Sequence, residues 1–534
     1  MADSLGKVST RKTSQLEKAD PRQVANSAGG FTFSVTKGNR LNRFLTLGTE
    51  GGTYYTDTPS LTKENAGIVL EFARNAPREL VDQAVAISQA GRAPRNNPAL
   101  FALAAASGLA DDAGRKYALD HLPLVARTGT HLFDFVGYAE NFRGWGRGLR
   151  RAVAGWYLQA DDEQKVAYQM LKYRQRNGWT HRDMLRLAHP AHKPLFRWAS
   201  GHDDVPGPEL PPLIGAFEVA QKATTAKEWV RLINANPSLS WEMLPDAAVT
   251  EPDVWRALIE NGMPQTALMR QLPRLTKLGV LKPMDALTQI VTGQLADPER
   301  LKKGRVHPVN VLIALTTYAS GHGVKGTMTW EPVSMISDAL DAGFYASFPA
   351  VEPAGKRTML ALDVSGSMGS QISGLPISCR EASAALSLVT AATEPMTMTV
   401  GFTSSTRSWS GVTGLSPLDI SPRMRLDDVV RKTSGLNFGA TDCSLPMLEA
   451  AKHKWEIDTF ITLTDNETWA GSSHPHQALE AYRQKMGIPA RMVVVGMTAT
   501  DFTIADPSDP GSLDVAGLDS AVPNLIANFS RGDV

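Results

Sequence analysis

An α-helical repeat region followed by a doubly wound parallel-sheet domain, α plus α/β, is the fold this sequence predicts. Three observations carry it. Between Ala66 and Leu340 apolar residues recur at spacings of three and four, the period of helices with one buried face. After Pro353 the pattern changes to short β-rich runs alternating with helical segments, which makes a parallel sheet with helices on both faces. The charge divides at the same place, with 14 Lys+Arg against 20 Asp+Glu from Val351 onward and 41 against 34 in residues 1–350. A length of 534 residues allows two to four domains.

Taken in order, residues 1–30 are polar, with basic positions at Lys7, Arg11 and Lys12, and are expected to be mobile. Residues 31–350 form the helical region. Leu70, Phe72 and Ala73 with Leu80, Val81 and Val85, then Leu100, Phe101, Leu103 and Ala104, then Leu312, Ile313 and Leu315, each mark an apolar face. Pro and Gly break the pattern at Gly91–Pro94, Asn236–Pro237 and Gly262–Pro264. No strict repeat appears, so the expectation is an irregular solenoid of helix pairs without strands. Residues 351–534 form the second domain. Strands are expected at 358–362, 396–402, 459–463 and 492–495, with helices at 378–393, 445–454 and 476–486.

Composition excludes several classes. A hydrophobic share of 43% and a charged share of 20% rule out wholesale disorder. No run approaches 18 apolar residues, so no membrane span is expected. Met1–Asp20 lacks an apolar signal core, and two cysteines, Cys379 and Cys443, make neither a disulfide framework nor a zinc cluster. A reducing compartment, the cytoplasm, is the expectation. Phosphate-binding P-loop, zinc-protease and nucleophile-elbow motifs are missing. His181, His189 and His192 have no carboxylate or thiol at ligand spacing. The chain reads as a non-enzyme.

The sharpest motif is Asp363-Val364-Ser365-Gly366-Ser367, directly after the first strand of the second domain. Ligands of parallel sheets bind at the carboxyl ends of strands. One carboxylate and two hydroxyls at alternating positions suit a hard divalent cation, Mg²⁺ first, with Mn²⁺ or Ca²⁺ as alternatives. Gly439-Ala440-Thr441-Asp442 and Leu463-Thr464-Asp465 add Thr441 and Asp465. Together these loops resemble the metal-ion-dependent adhesion site of von Willebrand factor A domains. The resemblance implies Ser365, Ser367 and Thr441 as ligands, completed by Asp363 and Asp465, and an open position for a partner's carboxylate.

The front region carries three basic segments without acids. The first holds Arg143, Arg147, Arg150 and Arg151 beside Phe142, Trp145, Trp156 and Tyr157. The second holds Lys165, Lys172, Arg174, Arg176, His181 and Arg182 beside Tyr168, Tyr173 and Trp179. The third holds Arg270, Arg274, Lys277 and Lys282. For one segment alone, a solvated helix face is the simpler explanation. Three together favour RNA or single-stranded nucleic acid, because cations take phosphates and flat rings stack on unpaired bases.

Longer strings carry a second resemblance. Arg43-Phe44-Leu45 through Glu50–Tyr55, Lys172-Tyr173 through Asn177-Gly178-Trp179-Thr180-His181-Arg182-Asp183, His307-Pro308, Gly321-His322-Gly323, Gly439 through Pro446 and Phe502 through Pro507 are similar to the Ro ribonucleoprotein autoantigen family, in particular a bacterial relative. The resemblance runs from about Gly30 to the C-terminus. It implies a TROVE module, a ring of HEAT-like helical repeats closed by the von Willebrand A domain. It also implies small non-coding Y RNA on the outer surface, with the segment of Lys172, Arg174 and His181 in contact, and single-stranded 3′ ends of misfolded RNA in the hole. RNA quality control, processing or decay follows as the expected role, in a protein monomeric apart from RNA and with an exoribonuclease or other acidic protein as a candidate partner. The competing expectation is a metal-dependent protein-interaction scaffold to which RNA is incidental.

Overall fold

The computed structural model describes the chain except residues 1–10, 36, 48–57, 91–95, 160–161, 203, 305, 324–326, 352, 373–375, 405–413, 437–439, 499, 501, 518–521 and 534. The 50–55 string and Gly439 therefore lie outside the described residues. The chain divides into two compact units. One comprises residues 69–306 and 314–346, the other residues 1–68, 307–313 and 347–534.

The helical unit is built as the spacing predicts. The helix Asn97–Leu109 is apolar nearly all round and packs between Pro77–Gln89 and Gly129–Phe142, so it has no polar face to offer solvent. Surface helices are amphipathic instead. Arg147–Leu158 buries Leu149, Val153, Trp156 and Tyr157, while Gln265–Lys277 buries Leu268, Met269, Leu272 and Leu275. Starts are marked by local chemistry, as where Thr180 and Asp183, or Thr225 and Glu228, satisfy each other's end amides in capping boxes.

The strands are labelled in chain order: β1 Gln23–Ala25, β2 Phe31–Ser34, β3 Gln175–Arg176, β4 Trp179–Thr180, β5 Thr358–Asp363, β6 Thr397–Phe402, β7 Leu415–Pro417, β8 Thr459–Thr464, β9 Arg491–Gly496, β10 Phe502–Thr503 and β11 Ser512–Ala516. The expectation of helices without strands fails at β3–β4. Asn177 and Gly178 take φ of 50° and 80°, the left-handed pair that closes a tight hairpin, and β3 pairs antiparallel with β4.

The α/β unit carries a six-stranded sheet in the order β11-β9-β8-β5-β6-β7, parallel except at the β7 edge. Every residue of β5 and β8 is buried, as central parallel strands covered on both faces require. One core layer joins Met359, Val400, Phe402 and Phe460 to Tyr482 of the helix Pro475–Met486. From β5 the chain leads through the helix Cys379–Thr393 to β6 on one side, while β8 leads to β9 on the other. The carboxyl ends of β5 and β8 therefore flank the point where strand order reverses, and that is where such sheets open a crevice.

The expected mobile segment 1–30 is corrected over its described part. β1 and β2 form a second small sheet with β10, and residues 11–34 belong to the α/β unit. The reason is buried hydrogen bonding. Gln15 is fully buried, and polar composition alone does not reveal such a side chain. Cys379 and Cys443 are both free and buried. No helix among the described residues is long and apolar enough to cross a membrane.

Candidate functional site

Asp363 ends β5, and its carboxylate is fixed from two sides. Oδ1 accepts the Ser365 amide at 2.9 Å and Oδ2 accepts the Thr464 hydroxyl at 2.8 Å. The Ser365 and Ser367 hydroxyls lie 3.0 Å apart. Asp465, following β8, accepts the Glu467 amide on Oδ1 at 3.2 Å, while its Oδ2 is buried with no hydrogen-bond partner. Thr441 is buried, and its carbonyl takes the amides of Trp469 and Ala470, both at 3.1 Å. The end of β8 and the loop after it thus meet both Asp363 and Thr441. All five residues are almost fully buried.

Two buried carboxylates in one crevice are electrostatically costly. Burial, and then repulsion from Asp465, pushes the Asp363 carboxyl up. Burial likewise raises Asp465, against the opposing Ser367 hydroxyl and Glu467 amide. A cation would relieve both. The stranded Asp465 oxygen and the paired serine hydroxyls are the donor set of a hard ion, so the residues fit the predicted metal.

Sequence reading missed what holds these loops. Gln15 Nε2 donates to Asp442 Oδ1 and to the Ser473 carbonyl, each at 2.8 Å. Its Oε1 accepts the Thr468 hydroxyl at 2.8 Å and the Gly471 amide at 3.0 Å. Asp442 in turn caps Ser444 through its amide and hydroxyl. A side chain at Gly471 would sit 2.3 Å from both Asp442 Oδ1 and Gln15 Nε2, so this crossing demands glycine. A lone Gln in a polar leader gives no sequence signal. By contrast, the Asn-Gly pair of the hairpin was there to be read.

The basic segments are less uniform than predicted. Arg147, Arg150 and Arg151 are exposed at the start of their helix, but Trp156 and Tyr157 are core residues rather than stacking surfaces. Trp145 and Trp179 are half-buried, with ring centroids 5.9 Å apart. Lys172 is largely covered, donating to the Tyr168 hydroxyl at 3.0 Å and lying 3.8 Å from Glu242. Arg174 is exposed but lies over the Phe217 ring. Arg176 lies 3.6 Å from the buried Asp134, which also accepts from Asn177 and Asn97. Arg182 holds the Ser200 carbonyl at 3.1 Å. Arg270 and Lys277 are exposed, while Arg274 is half-buried over Trp255 and donates to the Val249 carbonyl.

His181 departs furthest from expectation. It is 5% exposed, its Nδ1 lies 2.6 Å from the Tyr157 hydroxyl, and the Phe133 ring packs beside it. Burial pushes its pKa down to about 4. A neutral core histidine does not contact a phosphate.

Two family models match the chain: the TROVE domain over residues 24–228 and 231–317, and the Ro60 vWA domain over residues 357–530. The chain belongs to the Ro60 family. The "RNA-binding protein RO60" of Deinococcus radiodurans is 42% identical over 530 residues, covering 97% of each chain. The protein of the same name from Caenorhabditis elegans is 35% identical over 602 residues, covering 97% of this chain and 92% of its own. The crystal structure of Deinococcus radiodurans RO (RSR) protein is 39% identical with a TM-score of 0.73, covering 93% of this chain and all of that one. This Ro60 family member therefore carries the helical module and the A-type domain together, and the crevice at β5 and β8 lies within the second.

Proposed function

We propose that this protein binds RNA, taking small structured non-coding RNA of the Y type and the single-stranded 3′ ends of misfolded RNAs, and that it acts in RNA quality control or processing. The observation that carries the reading is the likeness to two proteins named for RNA binding along 97% of the chain, joined to exposed arginines at 147, 150 and 151. Phosphate contact by such cations sets affinity, and selection by strand form needs no base code. The α/β unit would hold one divalent cation, Mg²⁺ in the first instance, through Ser365, Ser367 and Thr441 with Asp363 and Asp465. Such an ion supplies a coordination position for a partner's carboxylate, an exoribonuclease or another acidic protein. Hydroxyls outnumber carboxylates among these ligands, which suits binding better than the carboxylate-rich two-metal sites of nucleases. The protein is accordingly read as a cytoplasmic non-enzyme, monomeric apart from RNA.

The test compares a blunt RNA duplex with the same duplex bearing a single-stranded 3′ tail. The tailed form is expected to bind more tightly, with a log–log salt slope of roughly 0.7 per phosphate contact on the single strand. Equal affinity across the salt range removes the single-strand reading.

A further inference from the structure

The helical unit holds a partly open cavity of about 150 Å³ whose wall includes Tyr168, Lys172, Ser240, Trp241, Glu242 and Met263. One water needs about 10–15 Å³ of such space, so the cavity admits a flat group of roughly ten heavy atoms. Its polar wall is incomplete. Glu242 Oε1 lies 3.8 Å from the Lys172 ammonium, while Glu242 Oε2 and Ser240 Oγ are buried with no hydrogen-bond partner. A buried carboxylate oxygen without a donor is expensive. The cavity asks for a ligand with adjacent N–H donors for Glu242, an acceptor for Lys172 and a flat apolar body to lie among Tyr168, Trp241 and Met263.

We propose that this cavity takes one unpaired guanine base of a bound RNA strand, a proposal that rests on the RNA-binding reading above. Guanine alone among the four bases presents N1–H and N2–H side by side, to be accepted by the Glu242 carboxylate, with O6 next to them to accept from Lys172. Adenine turns its N1 acceptor towards the carboxylate. Cytosine sets an acceptor beside its single amino group, and uracil flanks one N–H with two carbonyls. Lys172 thereby acts as a base contact, which explains why it is held under cover beside Glu242 and not displayed to phosphate.

The experiment uses the full chain and short uridine-tract RNAs whose central position is G, inosine, A, C or U. The G strand is expected to bind about tenfold more tightly than the all-U strand, with inosine, which lacks the N2 amino group, between them. Glu242→Gln turns an amide N–H₂ towards guanine's donors and is expected to bring the G-to-U affinity ratio close to one. Five strands bound alike by the wild-type protein overturn the guanine site and leave the RNA reading standing. No binding of any strand overturns both. A G preference that survives in Glu242→Gln, with folding intact by circular dichroism, removes Glu242 from the site.

Discussion

The loop crevice at β5 and β8 and the basic segments of the helical unit are built on opposite principles. Crevice residues are almost wholly buried and each is positioned by another: Asp363 by Thr464 and Ser365, the Thr441 loop by Trp469 and Ala470, and Asp442 by Gln15. The cations at 147, 150, 151, 270 and 277 stand exposed on helix surfaces. The difference follows from the ligands each region suits. An ion demands fixed oxygens at fixed distances, whereas a polyanion is held by summed charge and tolerates loose side chains. Substitution is therefore expected to harm the crevice through stability and order, and the basic surface through affinity alone.

The largest effect is expected at Gln15. Gln15→Ala leaves the Gly471 amide and the Ser473 carbonyl without the partner that Gln15 supplies, and takes one bond each from Asp442 Oδ1 and the Thr468 hydroxyl, at about 1–3 kcal/mol for each buried group left unpaired. A net loss of about 3 kcal/mol in chemical denaturation of the full chain is the expected outcome. Gln15→Glu, though isosteric, sets a carboxylate against Asp442 and is expected to do no better. Stability unchanged in both variants means that the N-terminal segment does not support the loops.

Next comes the cation. An ion that binds only the folded protein stabilises by mass action, about 2.7 kcal/mol at a hundred times its dissociation constant. Mg²⁺ or Mn²⁺ is expected to raise the melting temperature of the wild type and to leave Ser365→Ala/Thr441→Ala unmoved, with RNA affinity alike in both proteins. An identical response of the two proteins to Mg²⁺ shows that these loops hold no ion. A double variant that loses RNA binding as well breaks the separation of the two regions.

The same contrast decides what could be read from sequence. Parallel strands such as Thr459–Thr464 are continuous apolar or β-branched runs, and the Asp-x-Ser-x-Ser loop is local, so both were legible. Thr441 and Asp465 followed once the strand ends were placed. What failed was nonlocal. Gln15 meets Asp442 across 427 positions of chain, and Lys172 meets Glu242 through folding that no spacing foretells. The second basic segment misled for a related reason. Charge is visible in a string of letters, but burial is not, so His181 looked like its arginine neighbours.

On the exposed surface, changing Arg147, Arg150 and Arg151 to Ala is expected to leave stability intact. It should shallow the log–log salt slope of RNA binding by roughly 0.7 per lost contact, about two units in all. An unchanged slope makes this a solvated face.

The smallest effect expected is that of pH on RNA affinity, and it tests the correction at His181. Were this residue an exposed contact near its ordinary pKa of 6.5, acidification through that value would charge it and tighten binding several-fold. Buried against Tyr157 and Phe133 with a pKa of about 4, it stays neutral from pH 7.5 to pH 6. RNA affinity at constant ionic strength is then expected to change by less than about twofold over that range. Stability carries the titration instead. The folded-state pKa lies below the unfolded one, so the unfolded chain takes up the proton first, and stability is lost as pH falls from about 6.5 towards 4. The loss approaches 1.4 kcal/mol per pH unit for this histidine. His131, His307 and His476, which burial also pushes down to about 4, add to it. The two measurements must be made together. An affinity that rises several-fold on acidification in the wild type, and not in His181→Phe, would place a titrating imidazole against the RNA and return His181 to the basic surface.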